Sequence, residues 1–248
     1  MIKLITTLFT GLLLAGQVYA ASGNVVLAQS EANVSDQASL QRGAALFFNY
    51  CSGCHGIKYM RYARIAEDLD LSEEQLMSNL VFTGAKSGDL VKSAMPAGSA
   101  AWFGAAPPDL SLTARARGSD WIYSYLKAFY VDPSRPLGWN NTVFPAASMP
   151  NVLWQRQGIQ TLAAGHGDEG DHGGHGMRLE DQFELASPGS RSAAEFDQDA
   201  RDITNFLTYV GEPAALDRER YGVWVFLYLV LLTGVLYVLK HEYWRDVH

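Results

Sequence analysis

Apolar residues recur at helical spacing in several stretches of the chain. Leu40, Ala44, Phe47 and Cys51 fall at i, i+4, i+7 and i+11, which predicts one buried face on a helix from about Asp36 to Cys51. Phe196, Ala200, Ile203, Leu207 and Val210 repeat the pattern. Ser192 and Glu195 open that helix as a capping box, and Gly211 and Pro213 end it. Trp121, Ile122, Tyr125, Leu126 and Phe129 mark a third face, on a helix that Asp120 caps and that ends before Asp132-Pro133. Ser72 and Gln75 make a further capping box, for a helix ending near Thr83-Gly84 with Met77 in its apolar stripe.

Two stretches are apolar without a face. Lys3, the run Leu4 to Ala15 and the small-x-small step Val18-Tyr19-Ala20 have the layout of a signal peptide over 1–20, cleaved before Ala21. The run is too short for a comfortable membrane span. Tyr221 to Leu239 carries no charge over nineteen residues and is long enough to cross a bilayer. Tyr221, Trp224, Tyr237, Tyr243 and Trp244 supply interfacial aromatics. The expected order is a leader at 1–20, an exported domain at 21–216, an anchor at 217–240 and a short cytoplasmic tail at 241–248. The charges flanking the anchor are nearly symmetric, so the leader gives the orientation: the domain is exported and the short tail stays in the cytoplasm.

The remaining passages read as loops. Residues 21–34 are polar and aperiodic. Residues 93–118 are rich in Gly, Pro and small residues, and 132–158 hold Pro133, Pro136, Gly138, Phe144-Pro145 and Met149-Pro150. Gly165 to Gly176, with three histidines and three acids, resembles a metal-binding tract by composition but reads as a disordered surface loop.

Candidate chemistry centres on Cys51-Ser52-Gly53-Cys54-His55, the C-x-x-C-H pattern of covalent c-type haem attachment. The thiols form thioethers with the haem vinyls, and the adjacent imidazole becomes the proximal iron ligand. A zinc site wants two further ligands at a second locus, and the chain has only these two cysteines. One covalent haem c, attached through Cys51 and Cys54, is the expected cofactor. A methionine or histidine in the sixth position makes an electron carrier, whereas a vacancy allows ligand binding. Met60 lies too close to His55 to reach the other haem face. Met95 and Met149, each followed by proline, and Met177 beside the His-rich run stay open. The stiff Pro107-Pro108 pair suits the lining of a flat apolar cofactor, and Arg115 and Arg117 suit its propionates.

The 248 residues suffice for one sizeable domain plus targeting and anchoring segments. The formal charge of −7 argues against nucleic acid and for a basic or neutral partner.

QRGAALFFNYCSGCHGIKYMRY, APPDLSLTARARG, FPAASMP, DARDITNFLTYVGEP and the tail LKHEYWRDVH together resemble the cytochrome c1 family of proteobacterial type. The resemblance implies a mainly α, class I cytochrome c-like domain with long loops, its first and last helices crossing, plus one C-terminal transmembrane helix. It assigns the sixth ligand to Met149, propionate binding to Arg117 and the haem edge to Pro107 and Pro108. Gly56, where many relatives carry serine, and Trp102-Phe103, where many carry asparagines, depart from the family pattern. The implied function is electron transfer from a Rieske iron–sulfur protein to a cytochrome c, beside cytochrome b in a dimeric quinol–cytochrome c reductase (bc1) complex. The chain itself then catalyses no bond change. Rival readings are a free-standing membrane-anchored cytochrome c serving another oxidase or reductase, and a haem enzyme or gas sensor with an open sixth site.

Overall fold

The computed structural model describes residues 26–163 and 178–245. The expected leader, the His-rich run with Met177, and residues 246–248 lie outside the described residues. Helix α1 spans Gln37–Tyr50, where the first apolar face predicts it, and the Asp36 carboxylate accepts from the Ser39 N–H at 2.9 Å as its N-cap. Strand β1 (Ile57–Arg61) follows, then α2 (Tyr62–Asp68), α3 (Glu73–Asn79) and β2 (Leu90–Val91), which returns antiparallel to β1. Both halves of the Ser72–Gln75 capping box are present. However, α3 stops at Asn79, short of Thr83-Gly84. Leu76 and Leu80 are its buried contacts, and past them Phe82 is exposed.

Helices α4 (Ala100–Phe103), α5 (Thr113–Arg117) and α6 (Ser119–Lys127) come next. Asp120 is not the N-cap that its position suggests. Gly118, at φ +89°, takes that place, while Asp120 Oδ1 accepts from the backbone N–H and hydroxyl of Ser30 at 2.8 and 2.7 Å. The polar lead-in is thereby tied to α6, helped by the Ala28 N–H donating to Ser124 Oγ at 2.9 Å. Helix α6 also ends earlier than expected, at Lys127. Phe129-Tyr130-Val131, aromatic and β-branched, favours extended backbone and forms β3 (Phe129–Val131), paired antiparallel with β4 (Trp139–Asn141). Phe129 is buried as expected, but from a strand. The passage 132–158 therefore contains β4 and also α7 (Trp154–Gln157). Strands β5 (Gly158–Leu162) and β6 (Phe183–Pro188) pair antiparallel, and α8 (Ala193–Gly211) and α9 (Ala214–Trp244) complete a mainly α chain.

The core forms where α1 crosses α8. A Cβ built on Gly43 would stand 2.0 Å from the Asp202 carbonyl oxygen and 2.8 Å from Phe206 Cβ, so only glycine admits this approach. Around it Phe47 and Phe48 meet Phe206, with Phe47–Phe206 ring centroids 5.5 Å apart. Asp202 is 1% exposed and binds across the crossing. It accepts from Ser39 Oγ at 2.6 Å and from Arg42 Nε and Nη2 at 2.7 and 2.9 Å, a bidentate pair. Ser192 and Glu195 cap α8 as expected, although the helix runs on through Gly211.

Helix α9 begins after Glu212 and Pro213, and its Arg220–Trp244 portion is long and apolar enough to cross a membrane, with a mean hydropathy of 2.3 over its most apolar 18 residues. At 1.5 Å per residue those 25 residues extend to about 37 Å, against about 30 Å of hydrocarbon.

Gly43→Ala gains about 1 kcal/mol of helix propensity but forces α1 and α8 apart. A net loss of about 2 kcal/mol or more is expected in denaturant unfolding. A Gly43→Ala protein with the parent's midpoint and slope would show that the helices do not cross here.

Candidate functional site

The last turn of α1 delivers the haem-type motif. Cys51 is the C-cap, its N–H donating to Phe47 O at 2.8 Å. The next residues coil back on it, with the Cys54 and His55 N–H groups donating to Cys51 O at 3.0 and 2.8 Å. Neither cysteine is in a disulfide. Burial pushes the Cys51 thiol up to about 12 and raises Cys54 as well, so both are neutral thiols at pH 7. Among the described residues no group of three or more His, Cys, Asp or Glu is placed to hold a metal ion.

Pro107-Pro108-Asp109-Leu110-Ser111 is stitched to the motif and the strand after it mainly by side chain-to-backbone hydrogen bonds. His55 Nδ1 lies 2.7 Å from Pro108 O, and a carbonyl can only accept, so Nδ1 carries the hydrogen and Nε2 keeps its lone pair. Burial lowers the His55 pKa against the opposing pull of that carbonyl, keeping the ring neutral. The Leu110 N–H donates to Gly56 O at 2.8 Å, and Asp109 Oδ2 accepts from the Lys58 N–H at 2.8 Å. Ser93 Oγ donates to Cys54 O at 2.7 Å. Gly56 is confined by the same contacts, since a Cβ there would stand 2.8 Å from Ser93 N.

The motif and the Pro107-Pro108 segment border a cavity of about 520 Å³, within the ordinary range for a bound ligand. Cys51, Cys54, His55, Pro107, Pro108, Arg117 and Met149 all border it. The sequence alone leaves Met149 and Met95 open. The fold separates them: Met149 lines the cavity and Met95 does not. Met60 is buried in the core at 3% exposure, and Met77 packs against that core. The two arginines part as well. Arg117 is exposed at the rim, its guanidinium carbon 5.2 Å from the Trp121 ring centroid and 6.0 Å from that of Phe144. Arg115 instead packs by Gly211 at the end of α8. Of the unusual Trp102-Phe103 pair, Phe103 lines the cavity, whereas Trp102 is exposed outside it.

Other wall residues escape a motif search. Ile203 and Leu207 of α8 and Tyr125 of α6 belong to apolar faces legible in the sequence, yet nothing local says that they face a cofactor rather than the core. Tyr50 and Leu110 carry no signal at all. Burial raises the Tyr125 phenol, so with His55 and both thiols neutral, Arg117 is the one charged side chain in the lining among the described residues. An apolar slot with two thiols at its wall, one available imidazole nitrogen, one thioether and one rim cation fits a haem: porphyrin face, vinyls, iron and propionates each meet a matching group.

The model of the Cytochrome C1 family matches residues 29–89 and 179–247. The chain is 49% identical to cytochrome c1 of Allochromatium vinosum over 243 residues, covering 97% of this chain and 98% of that one. It belongs to the cytochrome c1 family. It is also 32% identical to cytochrome c1 of Rhodospirillum rubrum, over 86% of this chain and 83% of that one. A protein of Nitrosomonas europaea named ammonia monooxygenase gamma subunit is 41% identical over 99% of this chain and all of its own length. The cytochrome c1 family implies haem c and electron transfer. The matched segments hold Cys51 to His55 and helices α8 and α9, whereas Arg117 and Met149 lie between them.

Removing the rim cation should favour the oxidised, more positive haem. Arg117→Leu is expected to lower the midpoint potential by tens of millivolts, where about 59 mV is one tenfold step for a single electron. Redox titration of the loaded protein reads this directly. A potential unchanged in low salt would place Arg117 away from the cofactor.

Proposed function

We propose that this chain is the haem-bearing electron-transfer subunit of a quinol–cytochrome c reductase, beside cytochrome b and Rieske iron–sulfur subunits in a dimeric complex. It accepts electrons from the Rieske protein and delivers them to a cytochrome c. The observation that carries this is the single cavity gathering Cys51, Cys54, His55, Arg117 and Met149, in a chain of the cytochrome c1 family with a membrane-length C-terminal helix.

When bound, haem c supplies a one-electron iron couple. Cys51 and Cys54 hold it through two thioethers. His55 offers Nε2 to the iron, and the Pro108 carbonyl fixes both its tautomer and its ring plane. Met149 offers a soft sulfur that favours the ferrous state, and the apolar wall disfavours added charge, so both raise the potential. Arg117 meets the propionates at the rim. Pro107 and Pro108 keep water from the porphyrin edge. The formal charge of −7 speeds encounter with a basic acceptor, an effect that salt weakens. A leader at 1–20 exports the domain 21–216 to the periplasm, the anchor at 217–240 holds it to the inner membrane, and 241–248 stay in the cytoplasm.

Gentle solubilisation and purification through a C-terminal tag, followed by reduced-minus-oxidised spectra and EPR, test the assignment. Co-isolated b-type haem with a Rieske-type signal is the expected result. A lone c-type spectrum in mild detergent would instead favour a free-standing anchored cytochrome.

Met149 is tested separately. Met149→Leu and Met149→Lys should both lower the midpoint potential, by a sizeable part of the ~0.8 V range that axial ligands govern. Met149→Leu should also open the reduced haem to carbon monoxide. Two variants with the parent's potential would show that another group ligates the iron.

A further inference from the structure

Ala146, three residues before Met149, has φ +62°, the left-handed region that an alanine enters only at a cost. Such a conformation persists where the surroundings over-determine it, and here two side chains do so. The Ala146 N–H donates to Asn140 Oδ1 at 2.9 Å, and the Ala146 carbonyl accepts from Arg135 Nη2 at 3.0 Å. Both peptide groups of the strained residue are thus held from the β3–β4 hairpin and its turn.

The clamp is itself oriented. Asn140 Nδ2 donates to Asp132 Oδ2 at 2.8 Å, which leaves Oδ1 facing Ala146, and the same Oδ1 accepts from the Asn141 N–H at 2.9 Å. Asp132 is steadied in turn by the N–H and hydroxyl of Ser134, at 3.0 and 2.6 Å. One residue on, buried Asn141 ties the stem of the loop: Nδ2 donates to Tyr125 O at 2.9 Å, and Oδ1 accepts from the Val143 and Phe144 N–H groups at 2.9 and 3.1 Å. From Ala146 to Pro150 every residue lines the cavity, and Ala147 is buried. Pro145 and Pro150 restrict the backbone on either side. The turn at Ala146 therefore decides where the Met149 sulfur points.

We infer that Asn140 and Arg135 are positioning residues, which hold Ala146 left-handed and so keep the Met149 sulfur at the iron position of the cavity. The inference rests on the Met149 ligation proposed above. Ala146 is exposed and Asn140 only half-buried, so releasing the clamp removes no core packing. Its effect belongs at the sixth ligand, not in global stability.

The full chain, haem-loaded in mild detergent, provides the test. The readouts are the long-wavelength sulfur-to-iron band of the oxidised form, carbon monoxide affinity of the reduced form, and hydrogen exchange at 146–149. Asn140→Ala should lower the ratio of attached to detached Met149 about five- to tenfold, from the cost of left-handed alanine. Carbon monoxide affinity should rise by the same factor and exchange should quicken. Adding Ala146→Gly should restore all three to within about twofold, because glycine takes φ > 0 freely. Ala146→Val, which leaves Asn140 intact, should reproduce the loss, and it decides the matter if Asn140→Ala does not take up haem. Parent-like values for Asn140→Ala and Ala146→Val, beside a Met149→Leu control that loses the band, would overturn the clamp and leave the ligand standing. Loss in Asn140→Ala without rescue by Ala146→Gly would overturn it too. A Met149→Leu control that keeps the band would remove the ligand reading and the clamp's role with it.

Discussion

The contact of Gly43 with the Asp202 carbonyl settles the relative rotation of α1 and α8, and the site depends on that rotation. Successive helical residues are about 100° apart. A slip of one residue in α1 would therefore swing Cys51 out of the cavity wall, and the same slip in α8 would remove Ile203 and Leu207 from it. A hydrophobic contact tolerates such slips, since Phe47, Phe48 and Phe206 could repack at modest cost. Asp202 does not tolerate them. Its carboxylate draws on Ser39 and Arg42 from α1, which reach it only in this register, and a buried carboxylate without partners is strongly disfavoured. Apolar packing drives the helices together, and the polar hub selects the register.

Two kinds of structure then divide the work. Helices supply the apolar surface of the cavity, where an error in position costs little chemistry. The atoms expected at the iron come from a helix end and a loop, and side chain-to-backbone hydrogen bonds tie them down. Pro108 orients His55, Ser93 and Asp109 hold the strand leaving the motif, and Asn140, Asn141 and Arg135 hold the Met149 loop. Such bonds suit the purpose because each fixes one peptide orientation without demanding a regular element. They also leave the lining nearly free of charge, with Arg117 at its rim as the charged side chain among the described lining residues.

The parts of this fold that were legible in the sequence are those written in local chemistry. Caps at Asp36, Ser72 and Ser192, apolar faces on α1 and α8, the Cys51–His55 motif and the uncharged run from Tyr221 each depend on residues close together in the chain. The misses share the opposite property. Asp120 has the sequence neighbourhood of an N-cap, but Ser30, ninety residues away, takes its oxygen and Gly118 takes the cap. The lead-in from residue 26 looked aperiodic because its partners, Asp120, Ser124, Asn205 and Arg201, are all remote. Met149 and Met95 sit in similar Met-Pro steps, so residue chemistry could not separate them. The family resemblance pointed to Met149, and the fold places that residue alone of the two in the cavity.

The joint between α8 and α9 governs how the domain is carried. Only Glu212 and Pro213 interrupt the two helices, Ala215 is buried, and Leu216 packs against the core. The Arg64–Asp217 pair at 3.9 Å lies on the surface and adds little. What joins them is apolar packing of the first turn of α9 against the domain and a connection of two residues. In the proposed membrane setting the cavity then stands at a set height above the apolar segment that begins near Arg220. Under the proposed function, a domain carried in this way keeps to that height and its electron-transfer partners come to it. That matches a site whose rigidity is concentrated in its ligands and whose long-range attraction comes from net charge.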